Sequence, residues 1–288
     1  MLSREIYDKL NKRILINKEL IPKYEEIEEY YKEMMKISNT PEILEKEDVD
    51  IMNVAELYCL YYGIMSLSTS PGTEDTNFKI RSLYSSIFSN IANSITAIIF
   101  LVRKGLDYQA NVIIRQMFEM CMILLNIGID QEKSEILMQT EMTEENLKVW
   151  RKNFSPKELN KSIEQYEKAE LADWRKRIYS EYSNFSHNEF LSFLLFSFAK
   201  PKDENEMLTP NIWGGYVSRV NDILYSLIGY LWYTSKVFMN IMVDKNTYIH
   251  KEMLVGDDEG KKFWNFAGYL FFLLDEYYMI CFNKNSSN

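Results

Sequence analysis

Gly105-Leu-Asp-Tyr-Gln-Ala-Asn-Val-Ile-Ile-Arg-Gln-Met-Phe-Glu-Met-Cys-Met-Ile-Leu-Leu-Asn-Ile-Gly-Ile-Asp130 is the stretch on which the reading of this chain turns. Its second half is apolar nearly all round, the pattern of a helix surrounded by protein. Arg115 and Glu119 nevertheless stand in its middle, one helical turn apart. Charges placed there must be paired, hydrogen-bonded or open to a cavity. An intrahelical ion pair is the simplest account of them. Glu preceding Arg is the better order at this spacing, however, and such pairs contribute only about 0.2–0.5 kcal/mol. A tertiary partner is therefore expected for each, in either a structural network or a functional site. Asn111 and Asn126 extend the same stripe.

Upstream, Phe78 to Lys104 reads as another helix, with Ser82, Ser85, Ser86, Ser89 and Asn93 as small polar positions that let a neighbouring helix approach closely. The apolar run Ile91 to Val102 is shorter than the ~20 residues a membrane span needs, so a core helix is expected. Lys104-Gly105-Leu106-Asp107 reads as a tight turn with Asp107 as N-cap. The two helices then form an antiparallel hairpin.

The remainder agrees with a helical chain. The 288 residues include only 10 Gly and 6 Pro, and 47% are hydrophobic, so breakers are few and a large core can be buried. Helical periods cover Ser3 to Ile37, with a restart at Pro22, then Val49 to Leu67, Ile178 to Ala199, Tyr216 to Val243 and Phe263 to Phe282. Ser68 to Asn77 is the clearest loop and a candidate boundary. Ser155-Pro156-Lys157-Glu158 has the form of a capping box. The expected fold is all-α, a multi-helix bundle built around the central antiparallel hairpin, with an N-terminal helical region over 1–70 and the main bundle over 78–283.

Composition also excludes function classes. A net charge of −9 argues against generic DNA binding, which needs clustered Lys and Arg. Arg175-Lys176-Arg177 and the acidic run Glu25, Glu26, Glu28 and Glu29 read as solvated faces. Cys59, Cys121 and Cys281 form no C-x-x-C pair, so neither a zinc site nor a disulfide framework is indicated. They fit buried reduced thiols of a cytoplasmic protein. The charged N-terminus does not resemble a signal peptide. Polar interruptions in the long helices favour core helices over membrane spans. No metal or cofactor is expected: there are only two histidines, His187 and His250, and no dinucleotide, P-loop or H-E-x-x-H pattern. Wide aromatic stripes on the last two helices predict a homodimer.

His187 stands in Tyr182-Ser-Asn-Phe-Ser186-His187-Asn-Glu189. On a helix, Tyr182, Ser183, Ser186 and His187 share a face. Such a histidine is either a core residue satisfied by a hydroxyl or carbonyl, or an acid, base or anchor of a site. The order Gly105-x4-Ala110-x4-Arg115-x3-Glu119, followed by Tyr182-Ser-x-x-Ser186-His187, resembles an uncharacterised family of bacterial all-helical proteins, over roughly Ile87 to His187. That family is broadly similar to the HEPN helical superfamily, which includes RNA-cleaving toxins and defence proteins. Those enzymes carry Arg-x4-6-His, whereas here the positions four to six residues before His187 hold Ser183, Tyr182 and Glu181, and the nearest upstream arginine is Arg177.

Two functional expectations follow. In the first, His187 and Glu119 act as catalytic groups and Arg115, Tyr182, Ser186 and Asn111 bind, in a polar pocket for a nucleotide or RNA end. In the second, the same residues form a buried, non-catalytic network that fixes helix register in an interaction protein. In both, Glu119 bridges Arg115 and His187.

Overall fold

A computed structural model describes residues 3–12, 22–34, 46–72, 77–139, 141, 143–186, 220–249 and 258–282. The protein is all-α: among these residues every regular element is helical. The helices are α1 (Arg4–Asn11), α2 (Tyr24–Met34), α3 (Lys46–Ser68), α4 (Phe78–Arg103), α5 (Asp107–Ile129), α6 (Gln131–Leu137), α7 (Glu144–Asn153), α8 (Pro156–Ile163), α9 (Ala169–Ser186), α10 (Val220–Val243) and α11 (Asp258–Phe282). A short 3-10 turn, Glu164–Tyr166, links α8 to α9.

Every residue from Val54 to Met65 of α3 is buried, so this part of the helix has no solvent face. It packs against α4, α10 and α11. Serines and a cysteine permit the close approach of α3 to α4. Ser66 and Ser85 exchange hydrogen bonds, each hydroxyl donating to the other residue's carbonyl at 2.8 and 3.0 Å. Cys59 Sγ donates to the Ala92 carbonyl at 3.3 Å. Farther along, Arg103 Nη2 reaches Glu56 Oε1 at 2.8 Å. The stretch up to Ser70 therefore contributes α3 to the same core that α4 and α5 build.

Gly105 makes the turn between α4 and α5 at φ 66°, a left-handed conformation that glycine adopts without penalty. The Leu106 amide reaches back to the Leu101 carbonyl at 2.9 Å. Asp107 is not the N-cap: Leu106 holds that position, and Asp107 is the first helical residue and is buried. At Ser155 the helix begins where the capping box places it, with Pro156 in the first turn, but the serine side chain makes no capping bond.

By length and composition, α4 and α5 are apolar enough to cross a membrane, and 61% of the apolar window of α5 is buried inside the protein. Packing against α4, α8, α9 and α10 covers that share of α5.

Candidate functional site

The site grows from the drift of one helical stripe. Residues four apart are offset by about 40° around an α-helix, so Asn111, Arg115 and Glu119 rotate progressively out of the core. Asn111 is buried and donates to the Asp107 carbonyl at 2.9 Å. The Arg115 side chain is 7% exposed and that of Glu119 is 50% exposed. Facing them, α9 contributes Tyr179 at the rim and Tyr182 in the core.

Arg115 Nη2 meets Glu119 Oε1 at 2.8 Å. The intrahelical pair thus forms despite its less favourable order. Arg115 also has a tertiary partner: Nη2 donates to the Tyr179 hydroxyl, and the guanidinium carbon lies 3.9 Å from the Tyr179 ring centroid. Stacking on an aromatic face suits a weakly hydrated guanidinium. Burial raises the Tyr179 pKa, with Arg115 opposing and Glu119 reinforcing the shift, and Glu119 also hydrogen-bonds the phenol. Arg115 Nε and Nη1 are buried and have no hydrogen-bond partner among the described residues.

Tyr182 is directed elsewhere. It is buried, packs edge-on against Phe118 with ring centroids 5.1 Å apart, and burial pushes its pKa up to about 12. Phe118 in turn stacks on Tyr230 of α10. Tyr182 therefore supports the site from behind, while Tyr179 completes it. Ser186 ends α9, and its side chain falls outside the described structure. His187 and His250 also lie outside it, so the expected Glu119 bridge to His187 falls on residues not described. The structure brings together Arg115 and Glu119 of the expected set and adds Tyr179.

One turn before Tyr179 lies a second polar cluster. The Arg175 side chain is 1% exposed and that of Glu167 is 0% exposed, so Arg175 is no part of a solvated basic face. Lys176 and Arg177 are exposed. Arg175 binds Glu167 through both Nε and Nη2 and reaches Asn160 through Nη1. Tyr233 donates to Glu167 Oε2 at 2.6 Å. Burial alone would lower the Arg175 pKa, but Glu167, together with the Tyr233 and Tyr230 phenols, more than offsets this and raises it. Lys133 is also buried and donates to Asn126 Oδ1 at 2.6 Å and Ser162 Oγ at 2.9 Å.

Comparison with protein-family models, curated proteins and solved structures finds no match.

Among the described residues no group of three or more His, Cys, Asp or Glu is placed to hold a metal ion. The chemistry offered at the α5–α9 rim is that of a guanidinium with donors to spare, beside a carboxylate and a phenol that reach solvent.

Proposed function

We propose that the α5–α9 rim binds a phosphate-bearing ligand, a nucleotide or the end of an RNA strand, through Arg115. The setting would be a cytoplasmic helical protein of the bacterial defence type. The observation that carries this reading is the pair of buried Arg115 groups, Nε and Nη1, without a partner among the described residues. Leaving a buried donor unsatisfied costs about 1–3 kcal/mol, and more for a charged group. A phosphate would satisfy the guanidinium fork with charge-assisted bonds. Glu119 and Tyr179 are at least partly exposed, so a ligand would approach by displacing the Glu119 carboxylate from Nη2.

Titration of the protein with nucleoside 5′-monophosphates and short 5′-phosphorylated RNA tests the reading. Binding should weaken by about tenfold or more in Arg115→Lys, which keeps the charge but loses the planar fork. Equal binding by the two proteins, or none by either at millimolar ligand, would count against it.

A second reading, a non-catalytic interaction protein, is favoured by the fully buried Arg175–Glu167 pair, because buried ionic groups can fix helix register. Under that reading Arg115→Lys changes stability, and no phosphate ligand is bound by the wild-type protein. Both readings accommodate a homodimer. Phe272 and Met279, seven residues apart on α11, are 40% and 44% exposed, with Asp275 and Glu276 between them, and they are the apolar side chains that a second copy would cover. Light scattering that returns the monomer mass of 34.3 kDa at high protein concentration would remove the dimer.

A further inference from the structure

We infer that Glu119 is a tethered competitor that restricts the Arg115 site to phosphate monoesters, and so to the phosphorylated end of a nucleotide or RNA rather than its diester backbone. This inference rests on the phosphate-site reading above.

The geometry supplies the competition. Glu119 Oε1 already occupies Arg115 Nη2 at 2.8 Å, and being on the same helix it acts at a high effective concentration. A free carboxylate, or a diester phosphate, carries the same single charge. It offers Nη2 nothing that Glu119 does not already supply. A phosphate monoester differs in two respects. It carries a charge of about −1.5 to −2 at pH 7, and it has three terminal oxygens that accept strong hydrogen bonds. One oxygen can replace Glu119 on Nη2 while a second takes the donor beside it on the fork, Nε or Nη1, both of which lack a partner among the described residues. The Glu119 side chain is half exposed, so on displacement it moves into water. Arg115, at 7% exposure, stays buried and keeps its stack on Tyr179. The arginine supplies the attraction, and the adjacent carboxylate sets how much negative charge a ligand must bring.

The test compares two probes on two proteins, wild type and Glu119→Gln. The half-exposed position of Glu119 makes the substitution compatible with folding. The probes are adenosine 5′-monophosphate and an adenylyl-adenosine dinucleotide that carries only a diester. Wild type should prefer the monophosphate by about tenfold or more, as expected for gaining charge-assisted bonds. In Glu119→Gln the diester should bind about tenfold more tightly and the preference should shrink. The preference of wild type should also fall as the pH drops through about 6, where the monoester loses its second charge. Equal binding of both probes to wild type, or an unchanged preference in Glu119→Gln, would overturn the gate while leaving the phosphate site in place. If neither probe bound either protein, the phosphate-site reading would fall, and the gate with it.

Discussion

Replacing Glu167 by glutamine will lower the stability of the protein by about 3–5 kcal/mol, the cost of leaving one member of a buried ion pair without its counter-charge. Both side chains are almost wholly withdrawn from water. Glu167 also accepts the Tyr233 hydroxyl, so the substitution disturbs α10 as well as α9. The amide matches the carboxylate in shape, and the loss is therefore electrostatic rather than a packing defect. Urea denaturation near pH 7 measures it as a shift in midpoint. The double variant Glu167→Gln/Arg175→Met should recover a large part of the loss, because it removes the stranded guanidinium. A decrease below about 1 kcal/mol in Glu167→Gln, or a double variant no better than the single one, would show that this pair is not held as described.

Alkaline pH will be equally damaging. Burial pushes the Cys59 thiol up to about 11 and the Cys121 thiol to about 12 from an ordinary value of 9.0. It also raises Tyr58, Tyr62, Tyr84 and Tyr230 well above the ordinary phenol value of 10.0. For each group the unfolded chain loses its proton at a lower pH than the folded one. The stability associated with these groups is thus fully present below about pH 9 and declines as the pH rises through the folded values. A tenfold difference in proton affinity between the folded and unfolded chain is worth about 1.4 kcal/mol, so the thiols alone remove several kcal/mol. Lys133 acts in the opposite sense. Burial lowers its pKa from 10.5 despite the nearby Asp130 and Glu158, so stability gains as the pH rises from its folded value towards 10.5. One amine cannot offset two thiols and several phenols. Unfolding midpoints in urea should therefore drop steeply between about pH 9 and 11, with tyrosinate absorbance appearing together with unfolding. A midpoint unchanged across that interval would show that these groups are not buried as described.

The helical fold was legible because its signals are local. Few glycines and prolines, apolar periods near 3.6 and the Lys104-Gly105 break define α4 and α5 to within a residue. Arg115 and Glu119 were legible for the same reason, since two charges in an apolar run are conspicuous without a structure. Arg175 was not. It stands between a tryptophan and two further basic residues in a polar segment, and its burial is decided by Glu167, Asn160 and Tyr233, which come from other elements. Tyr179 was missed for a related reason. The sequence motif points to Tyr182, three residues on, but helix rotation turns Tyr182 onto Phe118 and leaves Tyr179 beside the guanidinium. Such choices depend on how α9 rolls against α5, and no local pattern encodes that angle.

The lack of a solvent face along the middle of α3 bears on how the protein is made. During synthesis α3 leaves the ribosome well before its coverings: about 190 residues separate Ser68 from the start of α11 at Asp258. At about 5–20 residues per second, the nascent chain carries a sticky, largely apolar segment for roughly 10–40 s before its last neighbour emerges. Early docking of α4, through the Ser66–Ser85 and Cys59–Ala92 contacts, can shield one side of it within the first few seconds. The opposite side must wait for α10 and α11, and over that interval the unfinished chain is a natural client for a holding chaperone.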